Sequence, residues 1–322
     1  MPTQSTRPEG GHYHPHEHSH HPHGHGHAPS NFNRAFAIGI GLNMVFVAIE
    51  AFYGWQVNSL ALLADAAHNL SDVAGLVLAW MGALASQLKP NAKHTYGWQR
   101  GTILAALINA VLLLVAMGSL GWEALQRLQT PEAIEGWTVI GVAAVGIVVN
   151  SLTAWLFMKD QHDLNIRGAF LHMAADALVS LGVVLGGILY LYQGWTWLDP
   201  VMSLLIAVII VMGTWGLFQQ SVHLLFDGVP PHVNLEQVRD CLSALPGIVS
   251  IHDLHVWALS TSKVALTAHL VVADTGTDTS MLLATAQEEL EEHFHIKHVT
   301  LQLESSAFAH GCRLSGHAEH DH

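Results

Sequence analysis

Six long apolar stretches constrain this chain more than any other feature of its sequence. They lie near 34–57, 60–87, 101–127, 137–158, 168–192 and 198–225, and an α-helix needs roughly 20 such residues to cross about 30 Å of hydrocarbon. Only 11% of the 322 residues are charged against 51% hydrophobic, and the charges avoid the middle of the chain, as in membrane proteins. The pattern predicts a membrane all-α domain of six helices over 32–226. The links Gln56-Val57-Asn58-Ser59 and Gln193-Gly194-Trp195-Thr196-Trp197 are short and carry no Lys or Arg, so spans one and two, and spans five and six, form tight hairpins. On the opposite side stand Arg34, Lys89, Lys93, Arg100, Lys159 and Arg167. The positive-inside rule then puts both termini in the cytoplasm of a multi-pass protein, and a bacterial cell inner membrane is the expected location.

After Gly228-Val229-Pro230-Pro231 the grammar changes. Residues 234–245 place Leu235, Val238, Leu242 and Leu245 on one helical face. Residues 249–258, 263–273 and 298–304 alternate as strands, and 279–293 reads as a second helix. The order αββαβ predicts a small α+β domain over 227–306, one sheet with helices on a single face, followed by a flexible tail over 307–322. From Asp227 onward 13 Asp and Glu face four Lys and Arg, a net of −9, which argues against nucleic acid as a partner. Two cysteines, Cys241 and Cys312, make no disulfide framework, so this part is expected in a reducing compartment. The N-terminal residues 1–31 hold nine His spaced by Gly, Pro and Ser. Such a tract buries no core and is expected to be disordered, with imidazoles that bind Zn²⁺, Ni²⁺ or Cu²⁺ loosely. An expression tag is the competing reading, against which the irregular spacing speaks.

Polar groups inside the spans carry the chemistry. The second span contains Asp65, His68 and Asp72, and the fifth contains His172 and Asp176. A charge at mid-bilayer costs a few kcal/mol or more, so each needs a partner or a task. His68-Asn69-Leu70-Ser71-Asp72 and His172-Met173-Ala174-Ala175-Asp176 share the pattern HxxxD, whose separation of four puts both side chains on one helix face. If the faces meet, two imidazoles and two carboxylates converge as a nitrogen and oxygen set suited to tetrahedral Zn²⁺. The bland alternative is a pair of His–Asp hydrogen bonds that hold helices together. Two copies of the motif, no Lys or Arg deep in the membrane, and neighbours as small as Ala64, Ala67, Ala174 and Ala175, which allow close helix approach, favour the shared site.

The run Ser59-Leu60-Ala61-Leu62-Leu63-Ala64-Asp65-Ala66-Ala67-His68-Asn69-Leu70-Ser71-Asp72 resembles the second-helix signature of the cation diffusion facilitator family, in its zinc-exporting bacterial branch. His94-Thr95-Tyr96-Gly97-Trp98-Gln99-Arg100, Asp199-Pro200 and His252-Asp253-Leu254-His255-Val256-Trp257 match further motifs in the right order. The resemblance covers roughly 32–304. It implies a homodimer, a metallochaperone-like cytoplasmic domain, and exchange of Zn²⁺ for protons. Many relatives carry a His-rich loop between spans four and five. Here that link is only 159–167, and the histidines sit at the N-terminus instead.

Outside the membrane core the resemblance marks His94 as an accessory loop ligand, where a solvated loop His is the alternative. It also maps His252, His269 and Glu304, with Cys312 just beyond, onto a cytoplasmic zinc site. Strand parity independently sets His269 and Glu304 on the face away from the apolar side chains. Asn43 is expected to line the ion path, because the family usually has a polar residue there. Glu50, Asn150 and Asp199 read as interhelical hydrogen-bond partners or caps.

The function expected from all of this is proton-coupled antiport that moves Zn²⁺ out of the cytoplasm across the bilayer. Cd²⁺, Co²⁺, Ni²⁺ or Fe²⁺ are further candidate ions, and Zn²⁺ is also a candidate structural ion of the cytoplasmic domain. A metal sensor or storage protein is one alternative, but six spans with two buried HxxxD pairs exceed what an anchor needs. An intramembrane metalloenzyme is the other. It would need an open coordination position, which four protein ligands do not leave.

Overall fold

The computed structural model describes residues 34–86, 88–130, 132–157, 164–273 and 278–305. The His-rich tract over 1–31, Cys312 and the tail over 307–322 lie outside the described residues. Six long helices come first: α1 Arg34–Gln56, α2 Leu60–Ser86, α3 Gly101–Gln129, α4 Gly136–Phe157, α5 Leu164–Gln193 and α6 Leu198–Leu225. Then follow α7 Leu235–Ser243, β1 Ile248–Ala258, β2 Val264–Val272, α8 Thr279–Phe294 and β3 His298–Ser305. Helix α5 begins four residues before the apolar stretch that predicts it, because hydropathy sees the lipid-facing part of a helix. Polar residues such as Asn165 and Arg167 carry the same backbone onward.

Among the described residues, four helices are long and apolar enough to cross a membrane by length and composition, within Gly101–Gln129, Gly136–Trp155, His172–Gln193 and Leu198–Leu225. The bundle buries Phe46, Leu62, Met117, Val139, Val183 and Ile206 at its centre. It also leaves Leu112, Val115, Leu178, Val208 and Met212 exposed on its outside. A water-soluble bundle would not present so continuous an apolar exterior, whereas lipid tails solvate it. Glycines set the helix spacing. A Cβ at Gly146 would sit 2.7 Å from the Phe46 ring, and one at Gly187 would sit 2.7 Å from Ile140, so α4 approaches both α1 and α5 closely.

The two hairpins are fastened at one end. Asn58 takes a left-handed φ of 55° to turn the chain between α1 and α2, and Arg127 donates to its carbonyl at 2.5 Å. Asp199, in the first turn of α6, accepts from Ser59 Oγ at 2.5 Å, Leu60 N at 2.8 Å and Ala61 N at 3.4 Å. The free N–H groups that open α2 are thus capped by a carboxylate from another helix, an arrangement as suited to the helix dipole as a cap from its own chain end. Asp199→Ala would orphan three buried donors at once. With about 1.5–3 kcal/mol for a hydrogen bond to a charged group, a thermal unfolding midpoint lowered by several degrees in detergent is expected. An unchanged midpoint would show that water replaces the carboxylate there.

In the second part, β2 is the central strand, antiparallel to β1 and parallel to β3. Helices α7 and α8 lay Val238, Leu242, Leu282 and Leu290 against Leu266 and Leu270. Asn234 and Asp278 cap these helices, each accepting two backbone N–H bonds at 2.9–3.2 Å. This α+β unit touches the bundle through an Arg100–Asp227 ion pair, the Thr261 N–H donating to Thr102 Oγ1 at 3.1 Å, and an apolar contact of Ile103, Leu224 and Ala258.

Candidate metal sites

Each HxxxD pair presents its imidazole and carboxylate one turn apart on one face, and α2 and α5 turn those faces toward each other. His172 Nε2 lies 2.9 Å from Asp72 Oδ2, and His68 Nε2 lies 3.4 Å from Asp176 Oδ1. Within each helix the distances are longer, 3.8 Å for His68–Asp72 and 3.7 Å for His172–Asp176. The shortest contacts therefore run between helices, which brings the two HxxxD faces together as the shared arrangement requires, and the His172–Asp72 contact is also a His–Asp hydrogen bond of the kind that holds helices together. The rings meet edge to face with centroids 5.7 Å apart. Ligand atoms about 2.0–2.2 Å from a tetrahedral Zn²⁺ stand about 3.3–3.6 Å from one another, and the four His–Asp distances straddle that range, although Asp176 offers a different oxygen to each imidazole and His68, Asp72 and His172 alone bring single ligand atoms all within 4.8 Å of one another. Asp176 forms the closed end, its side chain 3% exposed against 41% for His172, so the set is open along one flank.

Behind this set lies a buried polar layer. Asn69 donates to Glu50 Oε2 at 3.4 Å and Ser180 donates to Asp65 Oδ2 at 3.1 Å. Asn43, also buried, reaches Met173 Sδ at 4.0 Å, next in sequence to His172. Its position is beside the set rather than within it.

In the α+β unit His252 and His269 are register partners on β1 and β2, and Glu304 sits on β3 beyond them. Glu304 Oε1 lies 2.9 Å from His269 Nδ1 and Glu304 Oε2 lies 3.2 Å from His252 Nε2. Parity placed Glu304 on the face away from the apolar core. There the two rings cover it, so that its side chain is 1% exposed. Sequence reading missed Asp253, which lies 3.5 Å from His269 Nε2. The register slips between His252 and His255, and Asp253 takes a left-handed φ of 53°, so a bulge swings its carboxylate onto the cluster face.

His94 stacks on Trp98 with centroids 4.3 Å apart and joins no group of three ligand side chains among the described residues. Cys241 stands apart from both clusters. Burial and the Glu289 carboxylate push its thiol above the usual range, away from the thiolate that binds metal.

Residues 36–226 match the family described as "Cation efflux transmembrane domain", and residues 230–306 match "Cation efflux protein, cytoplasmic domain". The chain belongs to the cation efflux family. Its relatives include a "Cadmium, cobalt and zinc/H(+)-K(+) antiporter" of Bacillus subtilis (strain 168), 35% identical over 86% of this chain and 92% of that protein. They also include "Zinc transporter ZitB" of Escherichia coli (strain K12), 35% identical over 86% of this chain and 90% of that one. "Cation efflux system protein CzcD" of an Alcaligenes species (strain CT14) is 37% identical over 85% of this chain and 86% of its own. This cation efflux protein is accordingly a membrane transporter of divalent metal cations and not an enzyme, and neither the metalloenzyme nor the storage reading is favoured.

Proposed function

We propose that this cation efflux protein exports Zn²⁺ from the cytoplasm in exchange for protons, with His68, Asp72, His172 and Asp176 as the transport site. The observation that carries the reading is the cross-helix pairing, each imidazole nearer to the carboxylate of the other helix than to its own. Relatives named for zinc, cadmium and cobalt transport, one of them as an H(+)-K(+) antiporter, support the same cargo class. On this reading Cd²⁺ and Co²⁺, for which relatives are named, share the site with Zn²⁺, and Ni²⁺ and Fe²⁺ are further candidate cargoes. Metal needs neutral imidazole and ionised carboxylate, so metal and proton compete for the same lone pairs, and histidine titrates in the working pH range. Protonation on the far side then helps release the ion.

The protein works in this reading as a homodimer in a bacterial inner membrane with both termini in the cytoplasm, its cytoplasmic unit being the dimerising part. His252, His269 and Glu304, joined by Asp253, form a second Zn²⁺ site there, and the N-terminal histidines gather metal. His94 and Cys312 are assigned no more than accessory contacts. The test is Zn²⁺ uptake by the purified protein in liposomes under an imposed pH gradient. Uptake that rises with the gradient and collapses when an ionophore dissipates it is the expected result. Flux indifferent to pH would remove the antiport.

A further inference from the structure

A neutral imidazole carries one ring hydrogen, so a histidine that ligates metal through one nitrogen must place that hydrogen on the other. His269 faces a carboxylate at each nitrogen. Its Nδ1 lies 2.9 Å from Glu304 Oε1, and its Nε2 lies 3.5 Å from Asp253 Oδ2. The Glu304 side is fitted for metal. There His252, His269 and Glu304 bring one ligand atom each to within 4.8 Å of one another, a group to which Asp253 does not belong. Gln302 fixes the buried Glu304 by donating to its Oε1 at 2.7 Å. Glu304 Oε2 and His252 Nε2 stand 3.2 Å apart, both buried and both without a hydrogen-bond partner. Two such orphaned atoms side by side suit a shared cation.

The Asp253 side is built for another task. In a regular strand Asp253 would point to the face opposite His252, but the slip in register and the left-handed φ of 53° bring it round. Asp and Asn adopt that backbone more readily than most residues. Its Oδ1 accepts from His255 Nε2 at 2.9 Å, which leaves Oδ2 turned toward the His269 ring.

We propose that Asp253 is a positioning residue of this Zn²⁺ site: it accepts the Nε2 hydrogen of His269 and so holds that ring in the tautomer whose Nδ1 lone pair takes the metal. The inference rests on reading His252, His269 and Glu304 as a Zn²⁺ site, and it deepens that reading. The competing tautomer is a real rival. A hydrogen on Nδ1 would be donated to Glu304 and would occupy the lone pair that metal needs. Asp253 offers the hydrogen a second acceptor on the far side of the ring, as carboxylates behind metal-bound histidines do, while staying outside the coordination shell itself.

The test is metal binding by the full-length protein in detergent at one pH, with Zn²⁺ titrated against a chromogenic chelator and Co²⁺ followed by its visible absorption, which reports its ligand set. The transport site and the histidine tract are common to every variant, and Glu304→Ala identifies the binding event that belongs to this cluster. Asp253→Gly accepts the left-handed backbone and deletes the carboxylate. It is expected to weaken that event by roughly 10- to 100-fold. Asp253→Asn accepts the same backbone and keeps an acceptor oxygen, so it should bind within a few-fold of wild type with an unchanged Co²⁺ spectrum. Wild-type affinity in Asp253→Gly overturns the proposal. So does an Asp253→Asn that loses as much affinity as Asp253→Gly or alters the Co²⁺ spectrum, the second of which would make Asp253 a ligand. If Asp253→Gly does not fold, Asp253→Asn decides by the same spectrum. An isotherm unaltered by Glu304→Ala removes the metal site and the proposal with it, a failure distinct from that of Asp253 alone.

Discussion

Asp176→Ala and Asp72→Ala should each reduce Zn²⁺ flux to background while expression and dimerisation persist. Each carboxylate faces both imidazoles, Asp176 at 3.4 and 3.7 Å and Asp72 at 2.9 and 3.8 Å, and Asp176 closes the inner end of the set. Loss of one ligand in four weakens binding by more than the roughly 10- to 100-fold that follows even the loss of a group behind the ligands. Stability suffers less, since a methyl group in place of a buried carboxylate also removes a charge that was costly to bury. The measurement is initial uptake in liposomes, with size-exclusion profiles to establish that the variants fold. Near-normal flux in either variant would mean that the four residues do not hold the transported ion together.

His68→Asp is expected to shift selectivity rather than to stop transport. The set would change from two nitrogens and two oxygens to one imidazole and three carboxylates, and carboxylate-rich sites suit harder ions that take more oxygen ligands. Zn²⁺ should lose its advantage over Mn²⁺, while Cd²⁺ transport should persist because the larger ion tolerates higher coordination. The pH profile should move as well. An imidazole with a reference pKa near 6.5 gives way to a carboxylate near 3.9, so proton competition with metal should set in at lower pH. Initial rates for each metal across a pH series decide the matter. An unaltered metal preference and pH profile would make His68 a structural residue.

Much of this architecture was legible because it follows from periodicities. Spans show as apolar length, strands as alternation, and the HxxxD repeat fixes which side chains share a helix face. The sequence is silent on rotation and crossing of one helix against another, so it did not say that His172 would sit nearer Asp72 than Asp176. Parity told on which face of the sheet Glu304 stands, but not that two rings from other strands would close over it. Asp199 in the first turn of α6 reads as a favourable charge for that helix, and nothing local reveals that its hydrogen bonds go to α2.

The cap that Asp199 places on α2 has a geometrical consequence for motion. If its three hydrogen bonds survive the transport cycle, α2 and α6 are joined at that end like the two arms of a compass, and α5, tied to α6 by only the four residues 194–197, is held near the same end. Gly187, which borders the same small cavity as Asp199, is 11 residues from Asp176, a lever arm of about 17 Å at 1.5 Å per residue. A swing of about 10° on that arm displaces the carboxylate by about 3 Å. That is close to the 3.4 Å between Asp176 and His68, so a rotation that leaves every helix intact suffices to take the cage apart.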